Sequence, residues 1–478
     1  MKYIRFIVAF VLCITAALAS MPVFAIDSST NTSYTVNDNN KKVSIPETYS
    51  FERVIRGVYS GLQMTNPSDI YIHNNEFLYV ADTGNNRILK FDLVGNLISI
   101  FDNSGEKGLI SPKSICVDSK DNLYIADSGN QRITVLDSMG NFVKEYKKPE
   151  SDLISDTLIF EPSKICLNKN GLLYVLVGKE FMIIDEENNF LGFLGSSEVP
   201  FSLKNLFIRL FASDEQKKLI TKVQPDQYNN FTVSGEMVYA VSYGTKDQIK
   251  KISSVGDNIY PTGEYGEYSY NQNNQIVRPN FTDIAVSSDG IIFASELNSS
   301  NIYQYGQNGE LLSVFGGEGS GEGKFLSPAA IEVDKNGYVY VLDAGYGNIQ
   351  VLKPTLFINM IIEASCSYEN GKYDLAYDKW QEVLGIHDSY PIGLNTVAKI
   401  LYKNKQYGEA LKYAKLAGNQ ELYGKINAKY RHAFLSENFA LLCLVAIVVV
   451  LLAVVFIMRF KKYADKKNRE MIFGKEKI

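Results

Sequence analysis

Residues 79–92 read YVADTGNNRILKFD and residues 124–137 read YIADSGNQRITVLD, nearly the same fourteen residues written twice, forty-five residues apart. An internal repeat of that period means one supersecondary unit built again and again, each copy burying its apolar face against the next. With Asp82 as a ruler, the counterparts are Asp127, Val177, Ser242, Glu296 and Asp343, closing the segments YVAD, YIAD, YVLV, YAVS, FASE and YVLD. A proline stands fifteen residues before four of them (Pro67, Pro112, Pro162, Pro328) and seventeen before the other two (Pro225, Pro279). Between proline and ruler lies a short alternating run such as SDIYI or KSICV; after the ruler comes a polar turn and a run such as RILKFD. Most units end on a further turn and apolar stretch, such as GNLISIF. Each unit therefore predicts four short strands. One such sheet cannot bury both faces, but sheets stacked radially around an axis can. Six units predict a mostly β chain with a six-bladed β-propeller over residues 50–355. The sixth unit has only three strand-like runs, and FERVIRGVYS (51–60) upstream is shaped like the missing fourth. It is expected to complete the last blade, closing the ring and removing an open sheet edge.

The aspartate, the Gly-Asn turn and the arginine of units one and two resemble the NHL repeat. The resemblance covers residues 50–355 and is specific in those two units. Unit five keeps the proline opening, with Glu at the ruler and Asn301 at the arginine position. Unit four resembles the degenerate blade of secreted or membrane-bound NHL proteins of low-GC Gram-positive bacteria, which are often encoded beside sugar-uptake systems. NHL-type lyases use several histidines for zinc; here only His73 falls within the propeller, so that site is excluded. A calcium site made of Asp, Glu and Asn side chains, of the kind lactonase propellers hold, stays open.

Asp82 and Arg87 stand five apart across a tight turn, as do Asp127 and Arg132; in unit three the pair becomes Val177 and Met182, both charges lost together. The paired loss implies that each charge depends on the other. One reading makes them turn staples, the carboxylate accepting N–H or arginine bonds. The other makes Asp82, Asp127, Glu296 and Asp343 a ring of ligand-binding carboxylates at one mouth. No Ser/His/Asp pattern or glycine-rich phosphate loop is present, so no catalytic residues are assigned and the chain reads as a non-enzyme. Cys116 and Cys166 fall at equivalent points of neighbouring blades, too far apart for a disulfide, and read as buried thiols.

Two insertions interrupt the repeat. PFSLKNLFIRLFASDEQKKLI (200–220) places apolar residues at helical spacing, either packed on the propeller or free to dock a partner. GEYGEYSYNQNN (263–274) clusters Tyr265, Tyr268 and Tyr270 among amides; it is either an ordinary blade-linking loop or, with the rings exposed, a surface suited to sugar or peptide contacts.

From residue 356 the strand pattern stops. YENGKYDLAYDKWQEVL and YKNKQYGEALKYAKLAG are offset by thirty-four residues, pairing Tyr373 with Tyr407 and Ala376 with Ala410. That period resembles tetratricopeptide repeats, and residues 356–436 are expected to form such a helical segment, a spacer or a docking surface.

Both ends carry membrane signals. Lys2 and Arg5, an apolar run and Val23-Phe24-Ala25 make residues 1–25 a secretory signal peptide, followed by a Ser/Thr/Asn-rich leader (26–49) expected to be disordered. Phe439 to Met458 is twenty residues without a charge, spanning about 30 Å as a helix, within a predicted transmembrane segment 437–459. Eight Lys or Arg follow it and three lie in the twenty residues before it, which puts the basic tail (460–478) in the cytoplasm and the rest outside. Removing the +2 of residues 1–25 and the +5 of residues 438–478 from the total of −5 leaves −12 on the outer portion. That excludes a basic nucleic-acid footprint. The expected function is a membrane-anchored, extracytoplasmic binding or scaffold protein for a protein or glycan at the cell surface, accessory to a transporter. The alternative is a calcium-dependent, lactonase-like hydrolase.

Overall fold

The computed structural model of the protein describes residues 33–57, 63–104, 107–178, 180–194, 228–243, 246–254, 256–270 and 273–473. The expected signal peptide and the insertion 200–220 lie outside the described residues. The chain divides into two compact units: residues 33–35 with 44–362, and residues 36–43 with 363–473.

The first unit is a six-bladed propeller. Its innermost strands are Asp69–His73, Pro112–Val117, Pro162–Leu167, Tyr228–Ser234, Phe281–Val286 and Pro328–Val333. Each pairs antiparallel with the next strand of its blade, and the ruler residue lies opposite the strand start: Pro112 faces Asp127, Pro162 faces Val177 and Pro328 faces Asp343. Strand alternation packs apolar side chains between neighbouring blades; Ile133, Val135 and Tyr146 of blade 2 share a core with Ile165, Val175 and Met182 of blade 3. In blades 1 to 3 the connection from third to fourth strand is a D-x-x-x-N turn. Asp92 Oδ1 accepts from the N–H of Gly95 (2.7 Å) and Asn96 (2.8 Å), and Asp137 and Asp185 repeat the bond to Asn141 and Asn189. The fourth turn residue is left-handed, as at Gly95 (φ +110°), which is why glycine or asparagine recurs there.

The ring closes as expected. Strand β3 (Tyr49–Arg56) pairs with the third strand of blade 6, Asn348–Pro354, with Ile55 opposite Ile349 and Arg53 opposite Val351. Two features differ from expectation. Residues 33–45, assigned to a disordered leader, form strands β1 (Ser33–Val36) and β2 (Lys42–Ile45), extending blade 5 to six strands in the order β2, β1, then the blade's own outermost strand. Polar composition misleads here because the polar groups find partners far along the chain. Thr35 Oγ1 donates to Leu311 O (2.6 Å), Ser33 Oγ and Thr48 Oγ1 are bonded at 3.0 Å, and the outer edge of blade 5 offers β1 a ladder opposite Val314. Blade 4 has three strands among the described residues; its edge is capped by the segment after it, Ile259 N–H donating to Lys251 O at 2.8 Å.

Six helices follow among the described residues: α1 (Leu356–Glu369), α2 (Tyr373–Ile386), α3 (Pro391–Lys403), α4 (Tyr407–Ala417), α5 (Gln420–Glu437) and α6 (Phe439–Phe473). The thirty-four-residue offset maps α2 onto α4. The turns before these two helices hold Gly371 (φ +73°) and Lys405 (φ +61°) at equivalent positions. Trp380 is fully buried and stacks on Tyr390, with ring centroids 5.8 Å apart; Gly393 lies so close that an added Cβ would sit 3.1 Å from the indole. Ala376, Ala410 and Ala414 are also fully buried, and small side chains at these points permit close helix approach. Helix α6 contains a stretch, Phe439–Arg469, long and apolar enough to cross a membrane, and none of its apolar window is buried by the chain.

Candidate binding site on the propeller axis

Each residue of the D-[ST]-G-N-x-R motif has a defined task. Asp127 accepts from Ile110 N–H (2.8 Å) at one oxygen, and from Asn130 Nδ2 (2.8 Å) and Arg132 Nε (2.8 Å) at the other. Asp82 does the same with Thr65, Asn85 and Arg87. Gly129 is required by close approach: its N–H donates to Ile110 O at 2.9 Å, and a Cβ would sit 2.8 Å from that oxygen. Thr83 and Ser128 donate to the carbonyl of the next blade's proline, Pro112 (2.7 Å) and Pro162 (2.5 Å). Glu296 and Asp343 fill the same place with backbone donors: Asn280, Asn298 and Ser299 for the first, Leu326, Ser327, Gly345 and Tyr346 for the second. All four ruler carboxylates are at most 2% exposed. Among the described residues no group of three or more His, Cys, Asp or Glu side chains is placed to hold one metal ion.

The expectation of exposed tyrosines in the second insertion is corrected at Tyr265. Tyr265 is buried with Tyr260 and Tyr305 in the blade 5 core, its N–H donating to Gln248 Oε1 at 2.9 Å. The apolar ring finds more area to cover there than the surrounding amides suggested. Tyr268 is half-buried and its hydroxyl accepts from Gln248 Nε2 (3.2 Å); Tyr270 lies in a short strand, Ser269–Tyr270.

A different set of residues converges on the axis. Two positions after Pro67, Pro112, Pro162, Tyr228, Phe281 and Pro328, the inner strands carry Asp69, Ser114, Lys164, Asn230, Asp283 and Ala330. An innermost strand has no neighbour on its axial side, so its N–H groups there need other acceptors. The side chain of one blade supplies them to the next. Asp69 Oδ2 accepts from Ile115 N–H (3.2 Å), Ser114 Oγ from Ile165 N–H (3.2 Å) and Asp283 Oδ2 from Ile331 N–H (2.8 Å). Lysine cannot accept, and after Lys164 the next blade caps itself, Phe231 N–H donating to Asn230 Oδ1 at 2.8 Å.

Lys164 instead reaches across the ring. Its Nζ lies 2.7 Å from Asp69 Oδ1 of blade 1 and 3.8 Å from Asp283 Oδ1 of blade 5. Burial opposes its charge, but Asp283 and Asp69 outweigh that and raise its pKa above the usual lysine range. Two residues further along blade 6, Glu332 is half-buried; desolvation, then Asp283 and Asp69, push its carboxyl up to about 8 against the opposing pull of Lys164. Asp283 is raised too, chiefly by burial. Burial raises the thiols of Cys116 and Cys166, which flank this group.

On the side of the strand starts the axis opens into a funnel of about 560 Å³, lined by Ser68, Ser163, Asn229, Asn230, Asn280 and Thr282 with prolines and aliphatic groups between them. Asn230 belongs both to this funnel and to the axial ring. The volume is that of a small-molecule pocket, and the lining offers hydroxyls and amides.

Sequence reasoning missed Asp69, Lys164, Asp283 and Glu332. The signal was a polar residue at a fixed place in strands that otherwise read as apolar (SDI, SKI, TDI), but only ring closure turns that place toward a common axis.

Residues 64–91 and 109–136 match the model of the NHL repeat. A curated relative, the E3 ubiquitin-protein ligase TRIM71 of Rattus norvegicus, is 52% identical over 40 residues, which is 8% of this chain and 5% of that protein's length. Among solved structures, a streptogramin B lyase aligns with a TM-score of 0.40 at 13% identity, covering 68% of this chain and 87% of that one. A catalytically inactive variant of the virginiamycin B lyase of Staphylococcus aureus with quinupristin aligns at 0.40 and 14%, over 69% and 97%. The WD40 propeller domain of Doa1 aligns at 0.41 and 10%, over 64% and 98%. Likeness at this level says nothing of chemistry.

Proposed function

We propose that this chain, an NHL-repeat propeller of six blades, is a membrane-anchored binding module that works outside the cytoplasm and recognises a cell-surface protein or glycan through the funnel. The observation that carries the reading is the funnel itself: a concave site of about 560 Å³ lined by side-chain amides and hydroxyls, on a ring whose closure holds those groups in place. Such a lining suits hydrogen bonding to sugar hydroxyls or a peptide backbone. The helix Phe439–Arg469 is the anchor, with the basic residues after Met458 on the cytoplasmic side. The thirty-four-residue helical pairs act as a tetratricopeptide-like docking segment, and a transporter component is the kind of partner the arrangement serves.

The test uses the full chain in membranes carrying a photocrosslinking residue at Asn229 in the funnel or at Leu191 on an outer strand, together with glycan-array binding of the detergent-solubilised protein. Crosslinking or glycan retention that depends on the funnel position supports the reading. Equal labelling from Leu191, with no array binding, overturns it.

A further inference from the structure

We propose that the axial ring beneath the funnel is a receptor for a primary ammonium group, carried by a small ligand whose remaining polar groups fill the funnel. This rests on the reading of the funnel as a binding site and specifies the chemistry of its occupant.

The argument begins with an unpartnered atom. Asp283 is 1% exposed; its Oδ2 caps Ile331, while its Oδ1 has no hydrogen-bond partner. Lys164 Nζ, the cation facing it, is held 2.7 Å from Asp69 and remains 3.8 Å from Asp283, outside hydrogen-bond distance. A buried carboxylate oxygen without a donor is costly unless a donor arrives.

The charge balance states which donor. Three carboxyls, Asp69, Asp283 and Glu332, share one lysine, and the other residues at these two positions of the inner strands are Tyr71, Ser114, Cys116, Cys166, Asn230, Thr232, Ala285 and Ala330. An anion would meet an excess of negative charge. A multivalent metal ion would need three converging ligands, which the described residues do not provide. An ammonium group brings three N–H donors and one positive charge. Asp283 Oδ1 and the Glu332 carboxylate accept two of the donors, and the charge balances Glu332 once it ionises. Approach is through the funnel, where Asn230 lies at the level of Asp69, Lys164 and Asp283.

Glu332 couples binding to protons. The groups that face it are Lys164, Asp283, Asp69, Tyr71 and Cys166. Its carboxyl holds a proton up to about pH 8 in the unliganded protein, and the ammonium favours the carboxylate. Binding therefore releases a proton and weakens as pH falls below that value, by up to about tenfold per unit.

The experiment compares matched ligands on the full chain in detergent, by calorimetry from pH 6 to 9. One pair is 2-aminoethyl glucoside against its N-acetylated form. The other is Nα-acetyl-lysine amide against its Nε-acetylated form, so that the sugar and peptide sources of the same group are separated and each alkylammonium stays charged from pH 6 to 8.5. The expected result is at least tenfold tighter binding of the ammonium member of one pair at pH 8.5, a preference that shrinks toward pH 6. Asp283→Asn retains an acceptor for Ile331 N–H and is expected to lose at least tenfold of that preference; Glu332→Gln is the second variant and abolishes its pH dependence. Equal affinity within both pairs, binding of none of the four, or an unchanged preference in both variants overturns the proposal. If neutral members bind and Asn229→Ala removes that binding, the funnel stands as a recognition site while the ammonium receptor falls.

Discussion

Asp127 stands between a backbone N–H at Ile110 and the buried Arg132 guanidinium, whose other side pairs with Glu145 at 3.0 Å. Replacing it by alanine leaves the Ile110 N–H without its acceptor and the guanidinium with Glu145 on one side only, and is expected to cost about 3 kcal/mol in urea unfolding of the propeller. Blade 3 dispenses with the pair, and the place of Arg132 there is not that of Met182 as the spacing suggested: a turn two residues shorter sets Glu180 opposite Val177 and Met182 opposite Val175. Because the two side chains bond directly at 2.8 Å, a double-mutant cycle of Asp127→Val and Arg132→Met should show coupling: the double variant is less destabilised than the summed singles by about 1–3 kcal/mol. Additive losses would mean that the two side chains act independently. Glu332 carries a pH signature of its own. Its pKa is raised from 4.5 to about 8 in the folded protein, so the folded state holds the proton longer than the unfolded state. The associated stability is present below the unfolded value and is lost as pH rises from about 4.5 through about 8. Glu332→Gln should flatten that decline, raising Tm at pH 8.5 by about 2–4 °C while changing it little at pH 4.5. A parallel Tm–pH curve for variant and wild type would contradict the assignment.

Strand β3 and the hairpin β1–β2 both come from the N-terminal side of the propeller, yet they do different physical work. β3 is the fourth strand of blade 6 and places the fully buried Ile55 against the core of blades 1 and 6. Without it the ring is open and two blades lose their shared apolar contact. β1 and β2 lengthen a blade that already has four strands, covering its outer edge. Starting the chain at Glu47 should keep a cooperative unfolding transition with a modest loss of Tm; starting it at Gly57 should abolish cooperative unfolding measured by near-UV circular dichroism. In the helices, Trp380→Ala removes a fully buried indole stacked on Tyr390 and is expected to cost about 3–5 kcal/mol in the melting of the helical unit.

For the molecule as a whole, the question is where it resides. Nearly every apolar side chain from Phe439 to Met458 is exposed on the isolated chain, an arrangement that water penalises and a bilayer core of about 30 Å accommodates. Truncation after Glu437 should move the protein from a carbonate-resistant membrane fraction to the soluble fraction. Protease added to intact cells should remove the propeller and leave a fragment containing α6. Protection of the propeller in intact cells would reverse the proposed orientation.

Local periodicity and turn chemistry made much of the architecture legible. Proline-to-ruler spacing marked the blades, the Asp-Gly-Asn-Arg turns marked the second-to-third strand connection, and an orphan strand before unit one matched a vacancy in unit six. These properties depend on neighbours within a few residues or on exact repetition, and both are written in order along the chain. The extra strands β1 and β2 were hidden because Ser and Thr in an exposed leader and Ser and Thr on a buried edge look alike until their partners at Leu311 and Val314 are known. The axial group was hidden for a stronger reason. Asp69, Lys164, Asp283 and Glu332 are up to 263 positions apart, and their charges, shifted pKa values and the unpaired Asp283 oxygen exist only because the ring brings the inner strands of blades 1, 3, 5 and 6 around one low-dielectric axis. Spacing along the chain specifies how each blade is made; which side chains meet at its hub is a property of the closed ring.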